Sequence, residues 1–255
     1  MKHQSNILAL KYRPLNFQDL IGQEYLVETI QKSIQQNKIP NAYIFTGIRG
    51  VGKTTTARIV AKMLNCTVFD KNNNPDLINC EQAKAITEDR HPDVIEIDAA
   101  SNTSVENARE IIENVKYNPV LGKYKVYIVD EVHMLSKSAF NALLKTLEEP
   151  PPHSKFIFAT TEISKVPITI LSRCQRFDLR RVEKKTLSGF LKSIAKKEDI
   201  TISDEALNLI VKASDGSVRD SLSILDQANI FKSQKEIQVE EIVNMLGFAR
   251  QGDLY

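Results

Sequence analysis

The fold of this chain is decided by the stretch Gly47-Ile48-Arg49-Gly50-Val51-Gly52-Lys53-Thr54. It matches the pattern G-x-x-x-x-G-K-[ST] at every fixed position. The apolar run at 42–45 before it predicts a short buried strand, and apolar residues at helical spacing from 54 to 64 predict an amphipathic helix. Strand, glycine-rich loop and helix therefore follow one another here.

That order is the one that phosphate binding requires. Glycines let the backbone wrap a phosphate with its N–H groups turned inward, and the helix N-terminus adds a partial positive charge. Lys53 is placed to reach the outer phosphates and Thr54 to bind Mg²⁺. The alternative, a glycine-rich turn with a chance lysine, does not account for the flanking strand and helix. The residues predicted to bind the nucleotide here are Gly47, Ile48, Arg49, Gly50, Val51, Gly52, Lys53, Thr54 and Thr55.

Composition limits the classes of protein to consider. The chain has 255 residues, of which 42% are hydrophobic and 26% charged, and its net charge of +2 indicates nothing about nucleic acid. No apolar run is long enough to span a membrane, and Met1-Lys2-His3-Gln4 does not start a signal peptide. Three widely spaced cysteines argue against a disulfide framework. We expect a cytoplasmic protein without a membrane partner.

Further elements alternate along the chain. Short apolar runs at 93–100, 125–132 and 155–161 predict buried strands with helices between them, which indicates an α/β fold with a parallel sheet and helices on both faces. After Arg180 the pattern turns to helices only. We therefore expect one domain at 1–181 and a small helical domain at 182–246, with 247–255 as the start of a further region.

A second motif completes the first. The apolar strand that starts at Val126 ends in Asp130-Glu131. A phosphate-binding loop needs a second Mg²⁺ contact from a neighbouring strand, which Asp130 is placed to give. Glu131 is placed to act as the general base that takes a proton from water. By itself the pair also fits the start of a turn.

Weaker signals lie elsewhere. Thr160-Thr161 ends the next strand, where a polar side chain would hold the attacking water or the γ-phosphate, although threonine favours strands in any case. Arg219 stands in the first turn of a helix, where a cation opposes the helix dipole and an anionic partner would explain it. Arg173 fits a surface salt bridge, and His133 fits a loop or core position.

Together these residues resemble the AAA+ ATPases and, within them, the clamp-loader subunits of bacterial DNA polymerase III. The resemblance runs from about residue 10 to 246. It is carried by Lys11-Tyr12-Arg13-Pro14, Ile21-Gly22-Gln23-Glu24, the glycine-rich stretch, Val129-Asp130-Glu131-Val132-His133-Met134-Leu135, Leu143-Leu144-Lys145-Thr146-Leu147-Glu148-Glu149-Pro150-Pro151, Ser172-Arg173-Cys174 and Gly216-Ser217-Val218-Arg219-Asp220.

The resemblance implies a five-stranded parallel sheet, a helical lid domain and a role for each site residue. Arg173 would be an arginine finger that reaches a neighbouring subunit's ATP, Thr161 a γ-phosphate sensor, and Arg219 a sensor from the lid. Glu131 and Lys53 would be catalytic, with Mg²⁺ held by Thr54 and Asp130. The residues expected around the adenine are Tyr12, Arg13, Pro14 and Ile21.

The implied function is ATP hydrolysis that loads a sliding clamp onto primer–template DNA, within the polymerase III holoenzyme but without a polymerase active site in this chain. The implied partners are other clamp-loader subunits (delta, delta-prime and further gamma/tau copies), the clamp and the DNA. Two alternatives are a catalytically idle wedge subunit and a P-loop small-molecule kinase. The intact Lys53, Thr54, Asp130 and Glu131 argue against the first, and a kinase would need an acceptor pocket and its own mobile lid.

One departure from the family concerns metal. Bacterial relatives carry a four-cysteine zinc module after the loop helix, whereas this chain has only Cys66 and Cys80 there. Because a structural zinc site requires four ligands, we expect no zinc. We expect the segment to fold by packing Phe69, Leu77 and Ile78 against the domain.

Overall fold

The computed structural model describes residues 7–71, 74–101, 105–232 and 235–247. The chain divides into two compact units. The sheet unit comprises residues 14–47 and 52–179. The helical unit comprises residues 7–13 and 48–51 and the described residues between 180 and 247.

The sheet unit is built on parallel strands. Among the described residues they number five: β1 (Ala42–Thr46), β2 (Val94–Asp98), β3 (Lys125–Asp130), β4 (Ser154–Thr160) and β5 (Gln175–Asp178). Their order is β2-β3-β4-β1-β5, and every neighbouring pair is parallel. The predicted five-stranded parallel sheet is thereby confirmed. The pattern did not reveal β5, because Phe177 is the only buried residue in this short edge strand.

The sheet is covered on both faces, as its apolar runs predicted. On one face Tyr127, Phe156 and Phe158 stack with ring centroids 5.5 and 6.0 Å apart. On the other, Phe45 and Phe177 lie 5.8 Å apart. All residues of β1 and β4 are buried. The middle of the sheet is therefore a rigid platform for the polar residues at the strand ends.

Helices of the described chain are α1 (Leu8–Lys11), α2 (Glu24–Gln35), α3 (Lys53–Asn65), α4 (Glu81–Thr87), α5 (Val105–Val115), α6 (Lys137–Glu148), α7 (Ile168–Leu171), α8 (Lys184–Lys197), α9 (Asp204–Ala213), α10 (Val218–Phe231) and α11 (Val239–Leu246). Ser136 caps α6 by accepting the N–H of Ala139, and Pro150 follows its end. None of the described helices is long and apolar enough to cross a membrane.

The helical unit contains α1 and α8 to α11, which confirms the predicted helical lid. Its division from the sheet unit falls between Leu179 and Arg180, two residues before the predicted boundary. The unit also takes in residues 7–13 and 48–51, which the sequence pattern had not separated from the first domain. Residues 248–255 of the predicted third region lie outside the described residues.

Candidate active site

The glycine-rich loop has the backbone that only glycine adopts easily. Gly47, Gly50 and Gly52 have φ of 147°, 76° and 106°. At Gly50 a side chain is also excluded by space, since a Cβ there would lie 2.1 Å from the hydroxyl oxygen of Ser217. Gly52 precedes α3 directly, so the loop ends on a helix N-terminus.

Lys53 begins α3 and is only 5% exposed. Its ammonium group donates to the carbonyl of Gly47, with Nζ and O 3.0 Å apart. Burial lowers the pKa of Lys53, and the charges of Glu131 and Asp130 offset part of that effect. A nearly buried cation beside a loop of this backbone is well placed for an anionic ligand.

Thr54 and Asp130 meet directly, although 76 positions separate them in the chain. The Thr54 hydroxyl donates to Asp130 Oδ2 at 2.5 Å, and Asp130 Oδ1 accepts the N–H of Glu131 at 2.9 Å. A hydroxyl and a carboxylate at this separation are oxygen ligands that suit Mg²⁺, which usually takes one or two protein ligands together with water and phosphate oxygens. The residues present therefore fit the predicted metal.

Glu131 follows the end of β3 with φ 45° and ψ 45°, a conformation unusual for a non-glycine residue. Its Oε2 atom accepts the backbone N–H of Thr161 at 3.1 Å and the hydroxyl of Thr161 at 2.9 Å. The structure thus brings the predicted base and the predicted sensor together at the carboxyl ends of two neighbouring strands.

His133 also lies near this carboxylate and contacts Thr160 and Glu162, and the sequence did not assign His133 or Glu162 to the site. The imidazole Nδ1 lies 2.9 Å from the hydroxyl oxygen of Thr160 and 3.4 Å from Glu131 Oε2. Nε2 lies 3.4 Å from Glu162 Oε1. The available signal was the position of His133, three residues after Asp130 in the turn that follows β3.

Arg173 lies two residues before β5, at the amino ends of the strands. Its guanidinium pairs with Glu148 and donates to the carbonyl of Thr169 at 2.6 Å and to the hydroxyl of Ser172 at 3.2 Å. No described contact links it to the glycine-rich loop of its own chain. A role at another molecule's nucleotide therefore remains a prediction.

The helical unit holds Tyr12 and Arg219. Burial, together with the hydrogen bond from the Tyr12 hydroxyl to Glu198, raises the pKa of Tyr12 to about 12. The backbone N–H of Arg219 donates to the carbonyl of Gly50 at 3.2 Å, so the loop apex and the start of α10 are in contact. The side chain of Arg219 is exposed.

The remaining predicted residues are not deeply buried, apart from Val51. Arg49 is exposed. The half-buried ones are Arg13, Pro14, Ile21, Ile48 and Thr55.

The segment from Cys66 to Cys80 differs from its prediction. Cys66 and Cys80 pack with Ala83, and Leu77 contacts that cluster as expected. The predicted packing of Phe69 and Ile78 is wrong, because they are 53% and 72% exposed. Phe69 pairs with Pro75 in an antiparallel bridge, which fixes this part of the segment through the backbone and leaves the Phe69 side chain outside.

The two thiols lie in contact in an apolar setting. Burial, with the hydrogen bond to Cys80, raises the pKa of Cys66 to about 12. In the described part of the chain no cluster of three or more histidine, cysteine or acidic residues is arranged to hold a metal ion. The absence of zinc stays a prediction.

Comparison with known proteins agrees with this geometry. Residues 22–183 match the family model described as DNA polymerase III, delta subunit, and residues 186–234 match that of the DNA polymerase III clamp loader subunit, ATPase lid domain. The chain belongs to the clamp-loader subunit family of DNA polymerase III. The family resemblance inferred from the motifs is thus confirmed.

Named relatives of this clamp-loader chain are similar over 94% of its length. It is 48% identical to the DNA polymerase III subunit tau/gamma of Haemophilus influenzae, 47% to subunit tau of Bacillus subtilis and 45% to subunit tau of Escherichia coli. It spans only 35%, 42% and 37% of the lengths of those proteins.

A solved structure shares the fold of the clamp-loader chain. It is the RuvB Holliday junction branch migration motor of Thermotoga maritima, with a TM-score of 0.66 at 18% identity, over 92% of this chain and 72% of that one. At this identity the likeness shows the AAA+-like fold alone.

Proposed function

We propose that this chain is an ATP-hydrolysing subunit of the DNA polymerase III clamp loader, which uses ATP to load a sliding clamp onto primed DNA in the cytoplasm. The observation that carries the proposal is the contact of Thr54 with Asp130, beside a buried Lys53 and an anchored Glu131. An idle wedge subunit would have no use for all four groups.

Each group has a distinct task in hydrolysis. The loop N–H groups and Lys53 bind the phosphates, while Thr54 and Asp130 would hold Mg²⁺, which would neutralise phosphate charge. Glu131 takes the proton of the attacking water at a carboxylate oxygen. Because Thr161 donates twice to Oε2, the carboxylate is oriented before substrate arrives.

The arginine at position 173 supports a subunit that works in a ring. Its position at the amino ends of the strands separates it from the Thr54–Asp130 pair at the carboxyl ends. Because its ion pair with Glu148 is partly exposed, exchanging that carboxylate for a neighbour's phosphate costs little. We propose that further clamp-loader subunits supply that neighbour.

A protein-binding surface supports the clamp as a partner. Tyr117, Val120 and Leu121 are 67%, 75% and 59% exposed in the loop after α5. The buried carboxylate of Asp93 accepts the N–H groups of Val120, Leu121 and Gly122 at 2.7, 2.6 and 2.7 Å. A rigid loop with exposed apolar side chains binds a protein at a low cost in conformational entropy.

ATP turnover tests the proposal. The full-length protein, reconstituted with its partner subunits, is assayed with clamp and primed DNA. Wild type is expected to hydrolyse ATP faster when both are added, and Lys53→Ala to lose ATP binding without unfolding, because the ligand is the main partner of this ammonium group. Unchanged ATP affinity in a folded Lys53→Ala protein would contradict the site assignment.

Clamp binding is tested separately. Val120→Ser with Leu121→Ser is expected to weaken clamp binding while basal ATPase stays unchanged. Ile78→Ser is the control, since Ile78 is as exposed as Val120 but lies in the Cys66–Cys80 segment. Equal clamp affinity in wild type, the double variant and Ile78→Ser would show that this loop is not the clamp-binding surface.

A further inference from the structure

His133 is a nearly buried polar residue that the nucleotide-binding motifs do not explain. It lies in the turn Val132–Met134 after β3, and its side chain is 6% exposed. Its recorded polar partners are the Thr160 hydroxyl, Glu131 and Glu162. Both ring nitrogens therefore lie near oxygen atoms, and one of these oxygens belongs to the proposed general base.

The position of the proton on the imidazole decides which neighbouring oxygen it can bond. The hydroxyl oxygen of Thr160 already accepts the N–H of Glu162 at 3.0 Å, which fixes it at the end of β4. With a proton on Nδ1, His133 donates towards the Thr160 oxygen and towards Glu131 Oε2. Nε2 faces Glu162, whose carboxylate pairs with Lys165 at 2.8 Å. Of the two ring nitrogens of a neutral imidazole, only the one that carries the proton donates.

Glu131 needs such support because its backbone is unfavourable. A non-glycine residue in the left-handed region costs about 1–3 kcal/mol and persists where its surroundings over-determine it. The recorded side-chain contacts of Glu131 all fall on Oε2, from Thr161 and His133. With Oε2 engaged, Oε1 is the oxygen left to receive a proton.

We propose that His133 is a positioning residue for Glu131: its Nδ1–H holds the carboxylate of the general base, and Thr160 fixes the imidazole. The inference rests on the proposed ATPase function. Its consequence is that His133 affects the hydrolysis step and leaves nucleotide binding unchanged. A displacement of the base by about 1 Å can cost about a hundredfold in rate.

The test uses the full-length protein in its reconstituted complex. ATP affinity and single-turnover hydrolysis are measured for wild type, His133→Ala, His133→Gln, Glu131→Gln and the double variant Glu131→Gln/His133→Ala. We expect His133→Ala to lower the rate about tenfold or more at unchanged ATP affinity. His133→Gln, which keeps a donor near Thr160, should recover part of that loss.

The double variant separates positioning from general loss of structure. If His133 acts through Glu131, its removal should not slow the Glu131→Gln protein further, because the base is already gone. His153→Gln is the control, as His153 bonds the carbonyl of Val115 and has no contact with Glu131 among its described hydrogen bonds. Thermal melts of each variant show which proteins are folded.

Two results would overturn the inference. One is a His133→Ala rate within about twofold of wild type. The other is an equal loss from His133→Ala in the wild-type and Glu131→Gln backgrounds. Failure of the proposed function would give other results. Either the wild-type protein would not hydrolyse ATP, or Glu131→Gln would hydrolyse it at the wild-type rate.

Discussion

Charged residues lie at both ends of the sheet, but they differ in burial and in the partners that they bond. At the carboxyl ends, Lys53 bonds one carbonyl while Thr54, Asp130 and Glu131 bond other side chains. At the amino ends, Asp93 is fully buried and accepts three backbone N–H groups.

The difference indicates what each end is for. Backbone N–H groups cannot change their partner while the loop stays folded, so the carboxylate of Asp93 has a structural role. A hydroxyl or ammonium group can exchange its partner for a phosphate or a metal ion. At the carboxyl ends, two half-buried carboxylates bonded to threonine hydroxyls, beside the buried Lys53, therefore fit a site that can exchange those partners for a ligand.

The largest effect is expected from Arg173→Ala, which extends the comparison to a charge at the amino ends with side-chain partners. In the ring the variant should bind ATP normally, while hydrolysis at the neighbouring subunit's site falls about a thousandfold or more. Mixed complexes with one variant subunit measure this. Arg176→Ala, which removes an exposed arginine paired with Asp178, is the control. A defect confined to the variant's own site would mean that Arg173 acts within its own chain.

Glu131→Gln tests the carboxyl ends themselves. The amide keeps the size of the side chain and cannot take a proton, so ATP binding should persist while turnover falls by about 10²–10⁴. Nucleotide titration measures the affinity for ATP, and single-turnover assays measure the rate of hydrolysis. Turnover near the wild-type rate would assign the base to another residue.

Asp93→Asn tests the structural side of the comparison. Burial opposes ionisation, but the N–H groups of Gly122, Val120 and Leu121 outweigh it and lower the pKa of Asp93. The amide leaves at least one donor unpaired, so the free energy of unfolding should drop by about 2–4 kcal/mol with ATP affinity unchanged. Glu81→Gln, at an exposed ion pair, should cost under about 0.5 kcal/mol.

The sign of the pH dependence follows from the lowered pKa of Asp93. Its ionised form stabilises the folded state above the unfolded pKa of about 3.9, and this contribution is lost as pH falls through the lower folded pKa. Denaturant melts of wild type and Asp93→Asn should therefore converge in acid. Parallel curves at all pH values would contradict the assignment.

The smallest effect is expected from metal removal. If Cys66 and Cys80 are thiols in an apolar cluster, chelator should leave the melting temperature unchanged, and elemental analysis should find no zinc. A stoichiometric zinc ion would contradict the prediction and would indicate that these cysteines are metal ligands. Addition of Mg²⁺ with ATP should, by contrast, raise the melting temperature, because it binds the folded state.

The sequence predicted the glycine-rich loop and its acid partner because both depend on local spacing. A strand, three glycines and a helix can be recognised within 25 residues, and so can an apolar run that ends in Asp130-Glu131. Edge strand β5 was not recognised, since a four-residue element with one buried side chain has no periodic signal. The burial of Phe69 and Ile78 was predicted wrongly because hydrophobicity alone does not show which apolar side chains of a loop face the protein.

By itself the sequence determined the family, the parallel sheet, the helical lid and the types of residue at the nucleotide site. Only the tertiary structure decided which of those residues touch: Thr54 with Asp130, Thr161 with Glu131, His133 between two carboxylates, and Asp93 with a loop 27 positions away. The physical reason is that these contacts join strand ends that are far apart in the chain. Their proximity is set by the order and register of the whole sheet, which no local pattern contains.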